Sequence, residues 1–409
     1  MTSYGNKRKI EDKEKLPPLP DYEPTAFLRC HSSENDPNDN LSKVWRSAFE
    51  PSLQNPGESS YILASCGSKI VNLIDCRTGK VMKRYNDPDS NESFYTLAWS
   101  TLPIQGKTSK CNILAVAGEG CRVKLLYPTQ LVMYSTLTYH KKYISCLLFH
   151  STKPNYLFSG SRDGWIVLWD IGIPDITLQT KNNNSPLLRF SLPDINSDAL
   201  NLAYSSAQNI LIAACENGCI GWKLDDINKQ TKKRNKIISQ TDYIFVKSDV
   251  KQTIDGLIML TDDIIASKQV GTGLIQLWSI KENINSKKSK SSQTIKPLLE
   301  LEYTLTTVDY LNFGYTPGML CVGDDVGNIY LYNLKNYLKK NKSQESLFAP
   351  SQIIQWPEIS VDGKSDIDSD AVPVLDKQKI VVNCVSVSSN QEYIVYGTDT
   401  NLLCIWKRC

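Results

Sequence analysis

Apolar positions along the chain fall in short, strand-length runs separated by polar turns. The clearest group is "YHKKYISCLLFHSTKPNYLFSGSRDGWIVLWDIG", residues 139–172. It has apolar runs at 143–149, 156–160 and 165–170, the last two joined by a tight "SRDG" turn. Runs of this length, rich in β-branched and aromatic residues and bounded by turn formers, predict strands. Six other stretches repeat the order of strand, turn, second strand ending in small residues, and third strand. They are "VWRSAFEP…YILASCGSKIVNLIDC", "SFYTLAWS…NILAVAGEGCRVKLLYP", "ALNLAYSSAQNILIAACENGCIGWKL", "DGLIMLTDDIIASKQVGTGLIQLWSI", "YLNFGYTPGMLCVGDDVGNIYLYNL" and "VNCVSVSSNQEYIVYGTDTNLLCIWKRC". A supersecondary unit repeated seven times predicts a ring of blades. In "NESFYTLAW", residues 91–99, alternation sets Tyr95, Leu97 and Trp99 on one face and Phe94, Thr96 and Ala98 on the other. Two adjacent large aromatics at a strand start exceed what packing alone requires.

The 139–172 unit resembles a WD-repeat blade. His140, Ser159, Asp163 and Trp169 match the hydrogen-bonded structural tetrad of that family, and the last strand closes on "WD". The expected fold class is therefore all-β, a seven-bladed WD40 β-propeller. The chain ends on a third strand at Trp406, so the last blade needs an outer strand. "TAFLRCHSS", residues 25–33, is placed to supply it and clasp the termini, because open sheet edges invite aggregation. The expected organisation is a charged leader over 1–24 and the propeller over 25–409. Polar insertions near 225–240, 281–296 and 340–379 are read as solvated loops.

Composition narrows the function classes. Apolar residues are 41% and charged residues 22% of the 409, enough for a sizeable core, and a net charge of +3 argues against a surface built wholly for nucleic acid. The "NKRK" and "KKRNK" runs stay open between solubility and a nuclear-import or nucleic-acid patch, so direct DNA contact is undecided. Most of the 12 cysteines lie in or beside apolar runs, where a thiol packs as a small hydrophobe. The polar N-terminus carries no secretory signal, so a reducing compartment is expected. No run of 18 apolar residues spans a membrane. Only His31, His140 and His150 are available, and no catalytic motif or zinc-ligand set assembles around them or around Cys215 and Cys219. An enzyme, a cofactor and a metal are not expected.

The words "AFEP", "FLRCHS", "IIASKQVGTGLIQLWS", "LCVGDDVGNIYLYNL", "PSQIIQWPE" and the terminal "IWKRC" resemble the WD domain of the leucine-rich-repeat and WD-repeat family associated with the origin recognition complex. The likeness runs from about residue 22 to 409 and includes loop words. That family carries leucine-rich repeats ahead of the propeller. This chain has only a short charged leader there, so the repeats' functions are not expected to carry over. "ESFYTLAW…LAVAGEGCRVKLLYP" is also similar to the second blade of the Polycomb propeller embryonic ectoderm development, whose aromatic cage holds a trimethylated histone lysine. The resemblance maps that methyl-lysine cage onto Leu63, aligned through the following Ala-x-x-Gly, and onto Tyr95 and Tyr310, with Asp309 in place of a neighbouring aromatic. A quaternary ammonium gains roughly 0.5–2 kcal/mol per aromatic face. A leucine wall forfeits that gain, and Asp309 restores part of the attraction. The other reading leaves both tyrosines at blade edges with wet hydroxyls. The resemblance implies a nuclear, chromatin-bound adaptor whose partners are the histone H3 tail and origin-recognition subunits. The alternatives are a Polycomb-type subunit scaffolding a histone methyltransferase and a cytoplasmic scaffold.

Overall fold

The computed structural model describes residues 14–32, 36, 38–104, 106–174, 185–193, 197–216, 218–224, 235–247, 253–288, 296–338, 347–356 and 380–409, and in it the seven repeated units form seven antiparallel sheets. The second is typical. Phe94–Pro103 lies innermost, followed outward by Lys110–Gly118, Arg122–Tyr127 and Val132–Thr138. The other inner strands are Arg46–Pro51, Ile144–Phe149, Ala199–Ser205, Ile254–Met259, Gly314–Thr316 and Val382–Val387. Strands two and three of each blade are apolar on both faces, because each sheet is covered by a neighbour on either side. The core is thus a ring of inter-blade layers. Phe158, Phe190, Tyr204 and Trp222 fill the layer between blades 3 and 4, and Phe94 lies fully buried between blades 1 and 2. Trp169, Trp278 and Trp406 are buried, while Trp99 is half-buried and donates its indole N–H to the Ala48 carbonyl at 3.1 Å.

The ring closes through the N-terminal segment. Tyr22–Leu28 pairs antiparallel with Leu403–Arg408, Pro24 opposite Trp406 and Phe27 opposite Cys404, completing blade 7. This strand begins earlier than residue 25, and part of the expected leader belongs to the propeller. Leu16 is buried against blades 5 and 6, and Glu14–Lys15 pairs with Leu347–Ala349 at the outer edge of blade 5. Residues 1–13 lie outside the described residues.

The insertions are only partly loops. Lys236–Ile238 adds a fifth, parallel strand to blade 3, and Ile280–Lys288 forms an α-helix within blade 5, between its third strand and the outer strand Leu299–Glu302. Gln352–Ile354, within the expected 340–379 loop, is the outer strand of blade 6. Each strand covers an edge that would otherwise be exposed. The remainder of these insertions, 225–234, 289–295, 339–346 and 357–379, lies outside the described residues.

Blade 3 carries the full tetrad. The Trp169 indole donates to Ser159 Oγ at 2.9 Å, His140 Nε2 meets the same hydroxyl at 2.8 Å, and His140 Nδ1 sits 3.1 Å from Asp163 Oδ2. Burial alone would raise the Asp163 carboxyl, but His140 and the amides of Lys141 and Trp165 outweigh it and hold it below the usual range. Blade 5 keeps a fragment, Trp278 donating to Ser267 at 2.9 Å. In blade 1, His31 meets Ser65 Oγ at 3.2 Å.

Candidate functional site

The inner strands share a local irregularity, and in blades 2, 3 and 4 it turns Tyr95, Ser145 and Leu200 towards the channel mouth. In five blades the pairing slips by one residue near the strand start, a β-bulge. The bulges leave Tyr95, Ser145, Leu200, Asp255 and Asn383 without a residue opposite. A bulge bends its strand and redirects a side chain. At Tyr95 it breaks the alternation, so Phe94 enters the core against Tyr85 and Lys124 while Tyr95 turns to the channel mouth. Tyr310 reaches the same place by another route. Its φ is 67°, in the left-handed region that β-carbon-bearing residues rarely adopt, just ahead of the inner strand of blade 6.

These devices line a cavity of about 240 Å³ with four aromatics, Trp45, Tyr95, Tyr143 and Tyr310, together with Ser145, Leu200 and Asn312. Trp45 and Tyr95 meet edge to face, with centroids 5.5 Å apart and planes at 80°. Tyr95 and Tyr143 do likewise at 5.8 Å and 89°. All four rings are half-buried. Walls standing perpendicular to one another present ring faces to a shared centre, which is the geometry that holds a quaternary ammonium. The Trp45 ring also carries a cation of the chain itself, the Lys43 ammonium 5.2 Å from its centroid. One residue further along their strands, Arg46 of blade 1 reaches Asn201 of blade 4 at 3.4 Å, spanning the channel.

The polar groups around the cage are acidic. The Tyr95 hydroxyl donates to Glu119 Oε2 at 2.9 Å, and burial together with this bond pushes the phenol well above its ordinary range. Tyr143 is raised by burial and by Asp198, and Tyr310 by burial, Asp198 and Asp309. All three tyrosines therefore stay neutral across the physiological range.

Of the residues expected to form the cage, Tyr95 and Tyr310 come together. Asp309 is half-buried beside Tyr310 and acts on its hydroxyl. Leu63 does not reach the site. It lies in the second strand of blade 1, opposite Phe49 and Ile74, fully buried in the layer against blade 7. Trp45 supplies that wall instead. Alignment through Ala-x-x-Gly marked the wrong strand, since cage residues stand at the starts of inner strands. Registering "VWRSAFEP", "FYTLAWS" and "YISCLLFH" on one another exposes Trp45 and Tyr143 as well as Tyr95. No cluster of histidine, cysteine or carboxylate side chains suited to a metal occurs among the described residues, and no helix among them is long and apolar enough to cross a membrane. Asp324 accepts the amides of Val326 and Asn328 at 2.9 and 2.8 Å, a turn-forming carboxylate.

Fold and repeat define a WD-repeat scaffold or adaptor, a ring of blades that presents a binding mouth. Comparison with known proteins narrows this. The WD domain described as that of leucine-rich repeat and WD repeat-containing protein 1 matches residues 19–409, and the chain belongs to that family. It is 33% identical to the Xenopus laevis protein of that name over 98% of this chain and 56% of the relative, and 32% identical to the Homo sapiens one over 94% and 58%. The chain thus spans little more than half the length of those relatives. The Drosophila melanogaster Polycomb protein esc is 25% identical over 67% of this chain and 66% of its own length. Among solved structures, ctPRC2 in complex with H3K27me3 contains a chain that superposes with a TM-score of 0.71 at 14% identity, covering 95% of this chain and 98% of that one, a likeness of fold.

Proposed function

We propose that this propeller is a non-enzymatic chromatin adaptor that docks a methylated lysine of the histone H3 tail in the Trp45–Tyr95–Tyr143–Tyr310 cage. It thereby helps to hold origin-recognition subunits on repressive chromatin in the nucleus. The observation that carries this reading is the convergence of four aromatic side chains from four blades on one cavity. Three of the four walls are tyrosines kept neutral by burial, so the rings offer quadrupole faces to a cation. Asp309 and Glu119 at the margin add attraction for positive charge. Membership of the leucine-rich repeat and WD repeat family supports the origin-recognition partnership.

Calorimetric titration with trimethylated and unmodified H3 tail peptides tests the reading. The expected result is at least about tenfold tighter binding of the trimethylated peptide, lost in the double variant Tyr95→Ala with Tyr310→Ala. Equal binding of the two peptides overturns it.

A second reading is a Polycomb-type subunit that also scaffolds a histone methyltransferase. It is favoured by the likeness to esc and to the PRC2 chain. Affinity purification from nuclear extract separates the two. A SET-domain enzyme among the captured proteins supports the second, and origin-recognition subunits support the first.

A further inference from the structure

Behind the cage lies a carboxylate that blade packing alone does not account for. Asp198 stands two residues before Leu200, as Tyr143 stands two before Ser145, at the head of the inner strand of blade 4. It is fully buried. One oxygen, Oδ1, lies 2.7 Å from the Ser145 hydroxyl, itself part of the cavity wall and shared with the Ala199 carbonyl at 2.8 Å. The other, Oδ2, is buried with no donor in hydrogen-bonding geometry. The Tyr143 hydroxyl, a neutral group, is nonetheless the carboxylate's hydrogen-bonding neighbour, each shifting the other's proton affinity, and Tyr310 feels the same charge. Arg162, whose charge favours the ionised carboxylate, is paired with Glu216, whose own charge opposes ionisation of Asp198. Burial raises the Asp198 carboxyl above its ordinary range despite the help of Ser145, Tyr143 and Arg162.

A buried carboxylate without a full set of partners is costly, and such groups concentrate at functional sites. The missing partner is a positive charge, and the cavity in front of Tyr143 and Ser145 is the space open to one. A cation held there interacts with Asp198 through a low-dielectric wall, where charge acts more strongly than across water.

We propose that Asp198 is the specificity-determining counter-charge of the aromatic cage, making it select a methylated ammonium over an uncharged group of the same shape. The proposal rests on the cage reading above and goes beyond it. Aromatic faces and cavity shape alone also admit a neutral, equally bulky side chain by apolar contact. The buried charge supplies discrimination that acts only on a cation.

The test uses two peptides identical except at one position, trimethyllysine in one and its neutral isostere, with carbon in place of the quaternary nitrogen, in the other. Both are titrated calorimetrically into the full chain and into Asp198→Asn. Asparagine keeps the shape and can still accept the Ser145 hydroxyl through its amide oxygen. The full chain is expected to prefer the charged peptide by at least about tenfold, and Asp198→Asn to lose about tenfold of that preference, equal to about 1.4 kcal/mol. The neutral peptide's affinity is expected to stay within about twofold, which serves as the internal check of folding. An unchanged preference in Asp198→Asn overturns the counter-charge role while leaving the cage reading intact. Equal loss of both peptides overturns it too, because Asp198 would then only hold the wall in place. Failure of the full chain to bind either peptide overturns the cage reading itself.

Discussion

Tyr310 and Leu63 show how differently two residues contribute according to their place in a blade. Tyr310 pays backbone strain at φ 67° to bring its ring to the cage, and glycine adopts that φ freely. Tyr310→Gly is therefore expected to keep the melting temperature within a few degrees, since lost packing and relieved strain offset each other, while methyl-peptide affinity falls at least about tenfold. Leu63 touches no part of the cage, and Leu63→Ala leaves a cavity in the layer between blades 1 and 7. That substitution is expected to cost about 2–5 kcal/mol of stability and to leave peptide affinity unchanged in the folded fraction. Thermal denaturation and calorimetry on both variants check the contrast, and a binding defect in Leu63→Ala with unchanged stability would count against it.

Tyr95 is placed by the connector before its strand, and a buried cluster holds that connector. Lys124, in the third strand of blade 2, reaches Asp87 at 2.6 Å and Glu92 at 2.7 Å, with all three side chains almost wholly inaccessible. Glu92 Oε1 also accepts the Gly120 amide at 3.0 Å. Burial would raise the Asp87 carboxyl, but Lys124, the Asp89 amide and the Tyr85 hydroxyl more than compensate and keep it below its ordinary range. Removing the cation alone leaves two buried carboxylates facing each other. Lys124→Met is thus expected to destabilise the fold by about 3–5 kcal/mol, and the triple variant with Asp87→Asn and Glu92→Gln to recover a substantial part of that loss. Urea denaturation of the two variants measures the difference. An equal loss in both would mean that Lys124 contributes only its packing.

Closure of the ring gathers several distant segments at His31. Its backbone amide donates to Asn401 Oδ1 of blade 7 at 2.9 Å, and its Nε2 meets Ser65 of blade 1 at 3.2 Å, directly after the clasping strand. Burial, opposed by the Ser65 contact and reinforced by the Arg84 charge, lowers its pKa from the ordinary 6.5 to about 4. A depressed histidine favours its neutral form in the folded state. Above about pH 6.5 both states are neutral and the contribution is fully present. As pH falls from there towards 4, the unfolded chain takes up a proton that the folded one refuses, and about 3 kcal/mol is lost. His150, lowered to about 4 by burial and by Lys153, adds to the same trend. Melting temperatures measured between pH 7 and 4 are expected to fall less steeply for His31→Gln than for the unaltered chain. Identical slopes would remove His31 from the account.

Much of this architecture is legible in the residues themselves. Strand-length apolar runs, turn formers between them and one complete tetrad determine seven blades, because the period of apolar positions and the chemistry of tight turns are local properties. The need for an outer strand in blade 7 follows from counting strands, and most of the cysteines, all but Cys121 and Cys409, declare themselves as core by their apolar neighbours. Phe94 and Tyr95 are recognisable as a pair too many for packing. Alternation already sets them on opposite faces, but the one-residue slip that brings Phe94 into the layer with Leu97 is a relation between strands. Leu63 and Trp45 exchange places for a different reason, since the local Ala-x-x-Gly motif identifies the second strand of a blade while the channel is lined from the start of the first. Asp198 is unremarkable in sequence beside Ser197. Only the tertiary structure buries it, denies it a full set of partners and sets it behind an aromatic wall, because desolvation and long-range charge are fixed by what the rest of the chain places around a residue.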